Sequence, residues 1–172
     1  NTTALAAQVP YGSPDDAIRS FTHSTAQTAG WIWDIGLPSR RGTGYVYSSA
    51  HTTEEQAQTR LRSYIAATAG EAFAEQIEAR KLNYNPGHRA KFWHKNCVAI
   101  GMSAGFIEPL EASALVLVEV AATEIADQLP ANRQHMEHVA KGFNDNFHYR
   151  WESIIDFLKL HYVLCRKKCA KI

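Results

Sequence analysis

Several features that define common classes of protein are scarce in this sequence. Only three of its 172 residues are cysteine, an odd number without paired spacing, so we expect no disulfide framework and a cytoplasmic location. A net charge of only +1, from 18 basic and 17 acidic residues, argues against a dedicated nucleic-acid binder. The longest apolar run, residues 112–122, is interrupted by Glu119 and is too short to span a membrane. A hydrophobic content of 45% and a charged content of 20% exclude a disordered chain.

Common cofactor and catalytic motifs are missing as well. The eight histidines show no metal-ligand spacing, because His135 and His138 have no partner cluster, so we expect no metal. Gly42 and Gly44 lack the third glycine of a dinucleotide-binding turn. No Gly-x-Ser-x-Gly nucleophile motif occurs. The sequence begins at Asn1 and stops in a basic segment, residues 166–172, directly after a helical pattern, which we interpret as a piece of something longer.

The first half of the chain predicts strands and one helix. Residues 13–16 are typical of a helix start, whereas residues 20–25 favour a strand, and the two interpretations stand about equal. Residues 30–35 and 45–47 predict a hairpin with a long basic tip, and alternation places Trp31 and Trp33 on one face.

A helix with a defined start and end follows this hairpin. Thr52 and Glu55 form a capping-box pattern, and Gly70 is expected to end the helix. Residues 82–93 predict irregular strands. Arg40 and Arg41 at the hairpin tip are either an anion site or, more commonly, a solvated turn.

The second half combines a short strand, a loop of small residues and two helices. Residues 97–100 predict a buried strand that runs into the loop 101–105, and a helix begins after Pro109. Residues 132–165 predict a second helix. The apolar face expected for the first helix comprises Leu115, Val118, Ala122, Ile125 and Leu129, and the late stripe of the second comprises Ile154, Leu158, His161, Tyr162 and Cys165. We therefore predict a mixed α/β (α+β) fold, with antiparallel strands followed by a helical C-terminal part.

The junction at residues 97–115 is the strongest candidate site. Small side chains let a ligand approach the backbone, and a helix N-terminus favours an anion, although the same residues also allow tight packing alone. Glu108 and Glu111 flank the junction, either as acid/base groups or as complements to the helix dipole. Trp31 and Trp33 are either walls of an aromatic pocket or core residues.

Two motifs resemble one family. Residues 30–35, Gly-Trp-Ile-Trp-Asp-Ile, are similar to the Trp-x-Trp-x-Ile-Pro signature of flavin-dependent tryptophan halogenases, with Gly36 in place of the proline. Residues 96–111, which end in Glu-Pro-Leu-Glu, resemble the flavin-contacting loop and helix start of that family. Residues 41–49 and 151–162 are also similar. The resemblance implies a partial halogenase domain with an FAD-dependent monooxygenase-like fold, in which residues 1–95 form the sheet and substrate-side part and residues 96–172 the flavin-contacting and helical part.

The resemblance also implies a chemistry and partners. Reduced FAD, supplied by a separate flavin reductase, activates oxygen, and bound chloride or bromide is oxidised to hypohalous acid. This reagent reaches a second pocket and halogenates a small electron-rich aromatic substrate, such as tryptophan or another indole. No nucleic acid and no membrane are expected as partners. The alternatives are a flavin-dependent monooxygenase that hydroxylates an aromatic substrate and a non-catalytic interaction module derived from a halogenase.

Matching the motifs position by position transfers the family's roles to this chain. The catalytic glutamate corresponds to Glu111, and the halide seat to the backbone N–H groups of Ser113 and Ala114. The flavin contacts correspond to Gly101, Ser103, Ala104, Gly105, Phe106 and Pro109, and the substrate pocket to Trp31, Trp33, Phe106 and Glu108. The family's Glu-Ser-Thr-Gly is Glu-Ala-Ser-Ala here, so Ala114 would disturb the halide seat if its backbone required a positive φ. The family's relay lysine has no match, and the isolated chain is expected to be inactive.

Overall fold

The computed structural model describes residues 2–165, which form two compact units. Of the described residues, the first unit contains residues 2–85 and Cys165, and the second is Pro86–Leu164. Each unit has its own cluster of buried apolar side chains.

A five-stranded antiparallel sheet forms the first unit. Its strands, in chain order, are β1 (Thr2–Pro10), β2 (His23–Gln27), β3 (Gly30–Leu37), β4 (Arg40–Ser48) and β5 (Arg80–Tyr84). They lie in the order β2-β3-β4-β1-β5 across the sheet. The antiparallel hairpin predicted from residues 30–47 is β3–β4.

The predicted long basic tip of this hairpin is wrong. The ladder continues to the pair Leu37 and Arg40, which leaves two residues between the strands. Arg40 and Arg41 therefore lie in β4. Arg41 stays in the sheet because its guanidinium pairs with Asp34, which is buried on β3.

Residues 13–16 do not begin a helix. The Asp16 carboxylate accepts hydrogen bonds from the N–H groups of Gly12 and Ser13, at 2.9 and 3.1 Å, which closes a turn instead. The strand alternative is correct in type, although β2 lies further along the chain at His23–Gln27.

Helix α1 (Glu54–Ala69) begins one residue later than the capping pattern predicted. The N-cap is Thr53, whose hydroxyl accepts from the Gln56 N–H at 3.3 Å, while the Gln56 side chain accepts from the Thr53 N–H at 3.2 Å. The predicted pairing of Thr52 with Glu55 is therefore wrong by one position. The helix ends at Gly70 as expected, and α2 (Glu71–Gln76) follows.

The two faces of β3 have different roles. Ile32 packs with residues of α1, including Leu61 and Ile65, in the core of this unit. Trp31 and Trp33 share the opposite face, as alternation predicted, with ring centroids 6.2 Å apart in an edge-on arrangement. Gly44 is the cross-strand partner of Trp33, and a Cβ there would overlap the indole ring and the Leu5 carbonyl. Glycine at this position lets the Trp33 ring lie against the backbone of β4.

The second unit has short strand pairs and two helices. Strand β6 (Gly87–His88) pairs with β9 (Gly105–Phe106), and β7 (Trp93–His94) pairs with β8 (Cys97–Val98). Short 3₁₀ turns occupy Gly101–Ser103 and Leu110–Ala112. Helices α3 (Ser113–Asp127) and α4 (Arg133–Leu164) follow. The strand predicted at residues 97–100 is only two residues long, and Cys97 is exposed rather than buried.

Aromatic rings dominate the core of the second unit. Phe143 and Phe147 of α4 stack with centroids 4.3 Å apart, and Trp93 meets Phe143 edge-on at 5.6 Å. The side chain of Asn144 accepts from the N–H groups of Phe92 and Trp93, at 2.8 and 2.9 Å, and donates to the Trp93 carbonyl at 2.9 Å. One amide thereby joins strand β7 to α4.

The buried face of α3 differs from the predicted one. The buried residues are Leu117, Ala121 and Glu124, whereas Leu115 is 76% exposed. The Glu124 carboxylate accepts a hydrogen bond of 2.8 Å from the Asn146 side chain, and this bond compensates its burial. A prediction from apolar residues alone misses this face, because the face includes the polar residue Glu124. The helix ends before Pro130. The late stripe is confirmed on α4 for four of its members, with Leu158 buried and Ile154, His161 and Tyr162 partly buried, whereas Cys165 follows the end of the helix.

Candidate functional site

The turn before α3 holds two consecutive residues in the left-handed region. Glu111 has φ 64° and ψ 9°, and Ala112 has φ 52° and ψ 26°. Such a conformation costs on the order of 1–3 kcal/mol for a residue other than glycine, and it persists where the surroundings enforce it. Here Leu110 is buried, and the Ala112 N–H donates to the Pro109 carbonyl at 3.2 Å. Burial of Leu110 and this hydrogen bond therefore anchor the turn, whereas Glu111 is exposed.

The N-terminus of α3 has no side-chain cap among the described residues. Its N-cap is Ala112, which has no side-chain oxygen that could accept a hydrogen bond from the N–H groups of the first turn. The N–H groups of Ser113 and Ala114 open the helix, where no intrahelical acceptor exists, and they carry the positive end of the helix dipole. The left-handed residues are Glu111 and Ala112, not Ala114, so alanine at position 114 does not conflict with the backbone. This arrangement can accept an anion.

Consecutive residues of α4 contact the two glutamates. The Tyr162 hydroxyl lies 2.7 and 2.6 Å from the two carboxylate oxygens of Glu108. The Nε2 atom of His161 lies 3.3 Å from Oε1 of Glu111. The Glu111 side chain is 50% exposed, so the carboxylate is held from one side and remains accessible from the other. Neither contact of α4 was foreseen from the sequence, where His161 and Tyr162 were only members of a stripe.

A cavity of about 200 Å³ lies between the small-residue loop and α3. Four of the six predicted flavin contacts line it, namely Gly101, Ala104, Gly105 and Phe106. The other two are outside its lining. The hydroxyl of Ser103 accepts from the Ile100 N–H at 3.1 Å and donates to the Ile100 carbonyl at 2.8 Å, so it closes the loop on itself. Ala114, from the predicted halide seat, also lines the cavity.

The first unit contains a polar cluster that the sequence did not reveal. Asp34 is only 2% exposed, and its carboxylate accepts from Nε of Arg41 at 3.0 Å and from the Tyr64 hydroxyl at 3.1 Å. Burial raises the pKa of Asp34, but the hydrogen bonds and charge of Arg41, with Tyr64 and Arg19, outweigh it, so the pKa lies below its usual value. Arg41 also donates to the Thr68 carbonyl at 3.2 Å. The cluster joins β3 and β4 to α1. The one indication in the sequence was that Asp34 lies two residues after Ile32, so that both side chains share the buried face of the strand.

Two further observations bear on the class of site. Within residues 2–165, His, Cys, Asp and Glu side chains form no group that could hold a metal ion. In the same residues, no helix combines the length and the hydropathy required to cross a bilayer.

Comparison with known proteins identifies the family. The fold is that of solved flavin-dependent halogenase structures, and a family model described as tryptophan halogenase matches residues 1–170. The chain belongs to the tryptophan halogenase family, which confirms the resemblance noted from the motifs, and with it the fold class.

Individual relatives show the extent of the similarity. A crystal structure of a tryptophan halogenase from Shewanella frigidimarina NCIMB 400 superposes with a TM-score of 0.90 at 53% identity, over 98% of this chain and 32% of that one. The flavin-dependent halogenase BrvH from Brevundimonas sp. BAL3 gives a TM-score of 0.80 at 37% identity, over 96% of this chain and 32% of that one. Tryptophan 6-halogenase SttH from Streptomyces toxytricini is 35% identical over 95% of this chain and 30% of its own length. The chain thus spans about a third of the length of these relatives.

Proposed function

We propose that the protein to which this chain belongs is an FADH₂-dependent halogenase that chlorinates or brominates an electron-rich aromatic substrate, such as tryptophan or another indole. One observation carries the proposal. The left-handed pair Glu111 and Ala112 places a carboxylate beside the uncapped N-terminus of α3. A base and an anion-binding backbone are the two groups that halogenation of an aromatic ring requires from this region.

Glu111 is the proposed general base. Substitution of a ring hydrogen by halogen requires a base for the displaced proton, and an accessible carboxylate supplies it. The halide is assigned to the N–H groups of Ser113 and Ala114, which the helix dipole makes a favourable anion site. The nearest lysines to the junction in sequence, Lys91 and Lys95, do not match the motif of the family's relay lysine, and no role is assigned to them.

The residues of the loop fit a flavin ring. The cavity beside α3 is bordered by glycine, alanine and larger apolar side chains, and the small residues leave the loop backbone open to a planar apolar ring system. We assign Gly101, Ala104, Gly105 and Phe106 to that contact, with Ser103 and Pro109 keeping the loop in shape. When bound in its reduced form, FAD supplies the electrons that let oxygen oxidise the halide. The reduced flavin would come from a separate reductase, and we place the reaction in the cytoplasm.

Contacts to the aromatic substrate are assigned by the motif match. Trp31 and Trp33 offer an edge-on aromatic pair on the sheet of the first unit. In the second unit, Phe106 is 38% exposed, and Glu108 is held by Tyr162. The functional division into a substrate-side part, residues 1–95, and a flavin-side part, residues 96–172, stays a prediction.

Halide dependence of product formation tests the proposal. The intact protein is supplied with FAD, a flavin reductase, NADH, oxygen and tryptophan, in chloride, in bromide, or in a halide-free buffer. We expect a product with the halogen isotope pattern in the first two reactions and none in the third. A hydroxylated product formed equally in all three would replace the halogenase with a monooxygenase. Absence of any product from a panel of indoles, with reductase turnover verified, would favour a non-catalytic module.

A further inference from the structure

The contacts of His161 fix which of its ring nitrogens carries hydrogen. Its Nδ1 lies 2.9 Å from the backbone carbonyl oxygen of Phe157, one turn earlier on α4. A carbonyl oxygen only accepts hydrogen bonds, so Nδ1 must be the donor. The Phe157 ring meets the imidazole edge-on, with centroids 4.7 Å apart. The ring is therefore oriented by the carbonyl and by the aromatic contact together.

This orientation turns Nε2 toward Glu111. In a neutral ring with hydrogen on Nδ1, Nε2 carries a lone pair, and a lone pair facing a carboxylate oxygen at 3.3 Å is repulsive. The contact becomes favourable when one proton lies between the two atoms, either on Nε2 or on Oε1. The geometry thus describes a carboxylate and a neutral imidazole that gain a favourable contact when one proton arrives between them.

We propose that His161 is a positioning residue for Glu111, and that it receives the proton which Glu111 removes from the substrate. This inference rests on the proposed function. In the step, the C–H bond at the halogenated carbon breaks, its electron pair returns to the ring, and the proton moves to a Glu111 oxygen and on to Nε2. The imidazolium so formed passes the proton to water, because the His161 side chain is 34% exposed. Both groups then return to their starting state.

Neighbouring charged groups are arranged so that His161 acts on Glu111. The other glutamate of the turn, Glu108, is bonded to Tyr162. On α4 itself, Asp156 pairs with Lys159 at 2.9 Å. Glu108 and Asp156 are therefore engaged in pairs of their own, and Glu111 is the carboxylate that Nε2 meets at 3.3 Å.

Three variants of the intact enzyme separate this role from simple packing. His161→Gln places an amide near Glu111 but has no site to take up a proton. We expect it to lower kcat roughly tenfold with an unchanged KM for the aromatic substrate, a smaller loss than removal of the base itself. His161→Ala should show the same defect, and added imidazole should restore much of its rate. His138→Gln, an exposed histidine on the same helix, is the matched control and should retain the wild-type rate.

Nitrogen NMR of the same proteins, labelled with ¹⁵N-histidine, tests the contact between His161 and Glu111 without requiring turnover. The His161 signals are assigned by their loss in His161→Gln. We expect Nδ1 to remain protonated in the wild type and in Glu111→Gln, and the Nε2 resonance to shift between them. An Nε2 unaffected by Glu111→Gln, or a ring with hydrogen only on Nε2, overturns the contact between His161 and Glu111 on which the relay depends. A halogenating enzyme whose His161→Gln variant keeps full kcat overturns the relay while the proposed function stands. If neither the wild type nor any variant halogenates a substrate, the NMR result still tests the contact between His161 and Glu111.

Discussion

The two units each hold a carboxylate beside a helix, and the two environments are opposite. Asp34 is buried and bonded to Arg41 and Tyr64, close to helix α1, whose N-terminus is closed by the Thr53 and Gln56 capping box. Glu111 is half exposed, lies in left-handed backbone and precedes a helix without a side-chain cap. In the first unit, side-chain hydrogen bonds stabilise both the carboxylate and the helix N-terminus. In the second unit, the helix N-terminus has no such bond among the described residues. The second arrangement leaves a carboxylate and the first N–H groups of a helix available to other molecules, as the proposed base and the proposed halide seat require.

The largest effect on stability is expected at Asp34. Replacing Asp34 with alanine leaves Arg41 buried without its partner, so the free energy of unfolding should fall by about 3–5 kcal/mol. Urea denaturation of the wild type and the variant measures this loss of unfolding free energy. The control is Asp145→Ala, which removes an exposed pair with Lys141 on α4 and should change the free energy of unfolding by less than about 0.5 kcal/mol. Equal losses in the two variants would contradict the buried cluster.

Acid should act on the same carboxylate. Because the pKa of Asp34 is lowered in the folded protein, its contribution to stability is complete above the unfolded carboxyl value of about 3.9 and is lost as the pH falls through the lower folded value. The difference in unfolding free energy between the wild type and Asp34→Asn should therefore shrink below about pH 4. A difference that grows on acidification would mean that the pKa is raised instead.

Glu111 is expected to matter for rate and hardly for stability. In the intact enzyme, Glu111→Gln should lower product formation by roughly a hundredfold or more, as loss of a positioned base does. Glu119→Gln, on an exposed position of α3, is the control and should keep the wild-type rate. Turnover near the wild-type value in Glu111→Gln would remove this residue from the mechanism.

The two helix starts should respond differently to the loss of a hydroxyl group. Thr53→Ala removes a bonded cap from α1 and should cost about 1 kcal/mol of unfolding free energy. Ser113→Ala, at the start of α3, removes a hydroxyl from a helix that has no side-chain cap and should cost less. Thermal unfolding followed by circular dichroism compares them, and a larger loss at Ser113 would show that α3 is capped after all.

The smallest effect is a gain. Ala112→Gly removes the cost of a left-handed alanine and should raise the unfolding free energy by about 0.5–1 kcal/mol. Ala122→Gly, in the interior of α3, should lower it by about 1 kcal/mol. Because the two expected changes in unfolding free energy have opposite signs, their comparison isolates the effect of the backbone conformation at position 112. A loss in both variants would show that the left-handed turn carries no strain.

The sequence predicted elements well where one signal determined them. Alternation and β-branched or aromatic residues identified β3, and Gly70 marked the end of α1. The errors arose where a polar side chain found a buried partner. The sequence around Arg41 is typical of a turn, and only the ion pair with Asp34 on the neighbouring strand explains its place in β4. Likewise, the burial of Glu124 on α3 depends on its hydrogen bond with Asn146.

The candidate site likewise combines residues that the sequence predicted with contacts that it did not. Motif similarity pointed to Glu111, Ser113 and Ala114, and the turn that presents them follows from no local propensity, since neither Glu111 nor Ala112 favours positive φ. The contacts of His161 and Tyr162 join positions about fifty residues apart on α4 and the turn, so they depend on packing that no sequence pattern contains.

Anomalous scattering from bromide tests the central claim most directly. Crystals of the intact enzyme soaked in bromide should show a bromide ion within hydrogen-bonding distance of the N–H groups of Ser113 and Ala114, beside Glu111. Bromide at that position in the wild type, retained in Glu111→Gln, would show that the uncapped start of α3 binds the halide independently of the base. An enzyme that brominates its substrate while bromide binds elsewhere, with the start of α3 empty, would contradict the account.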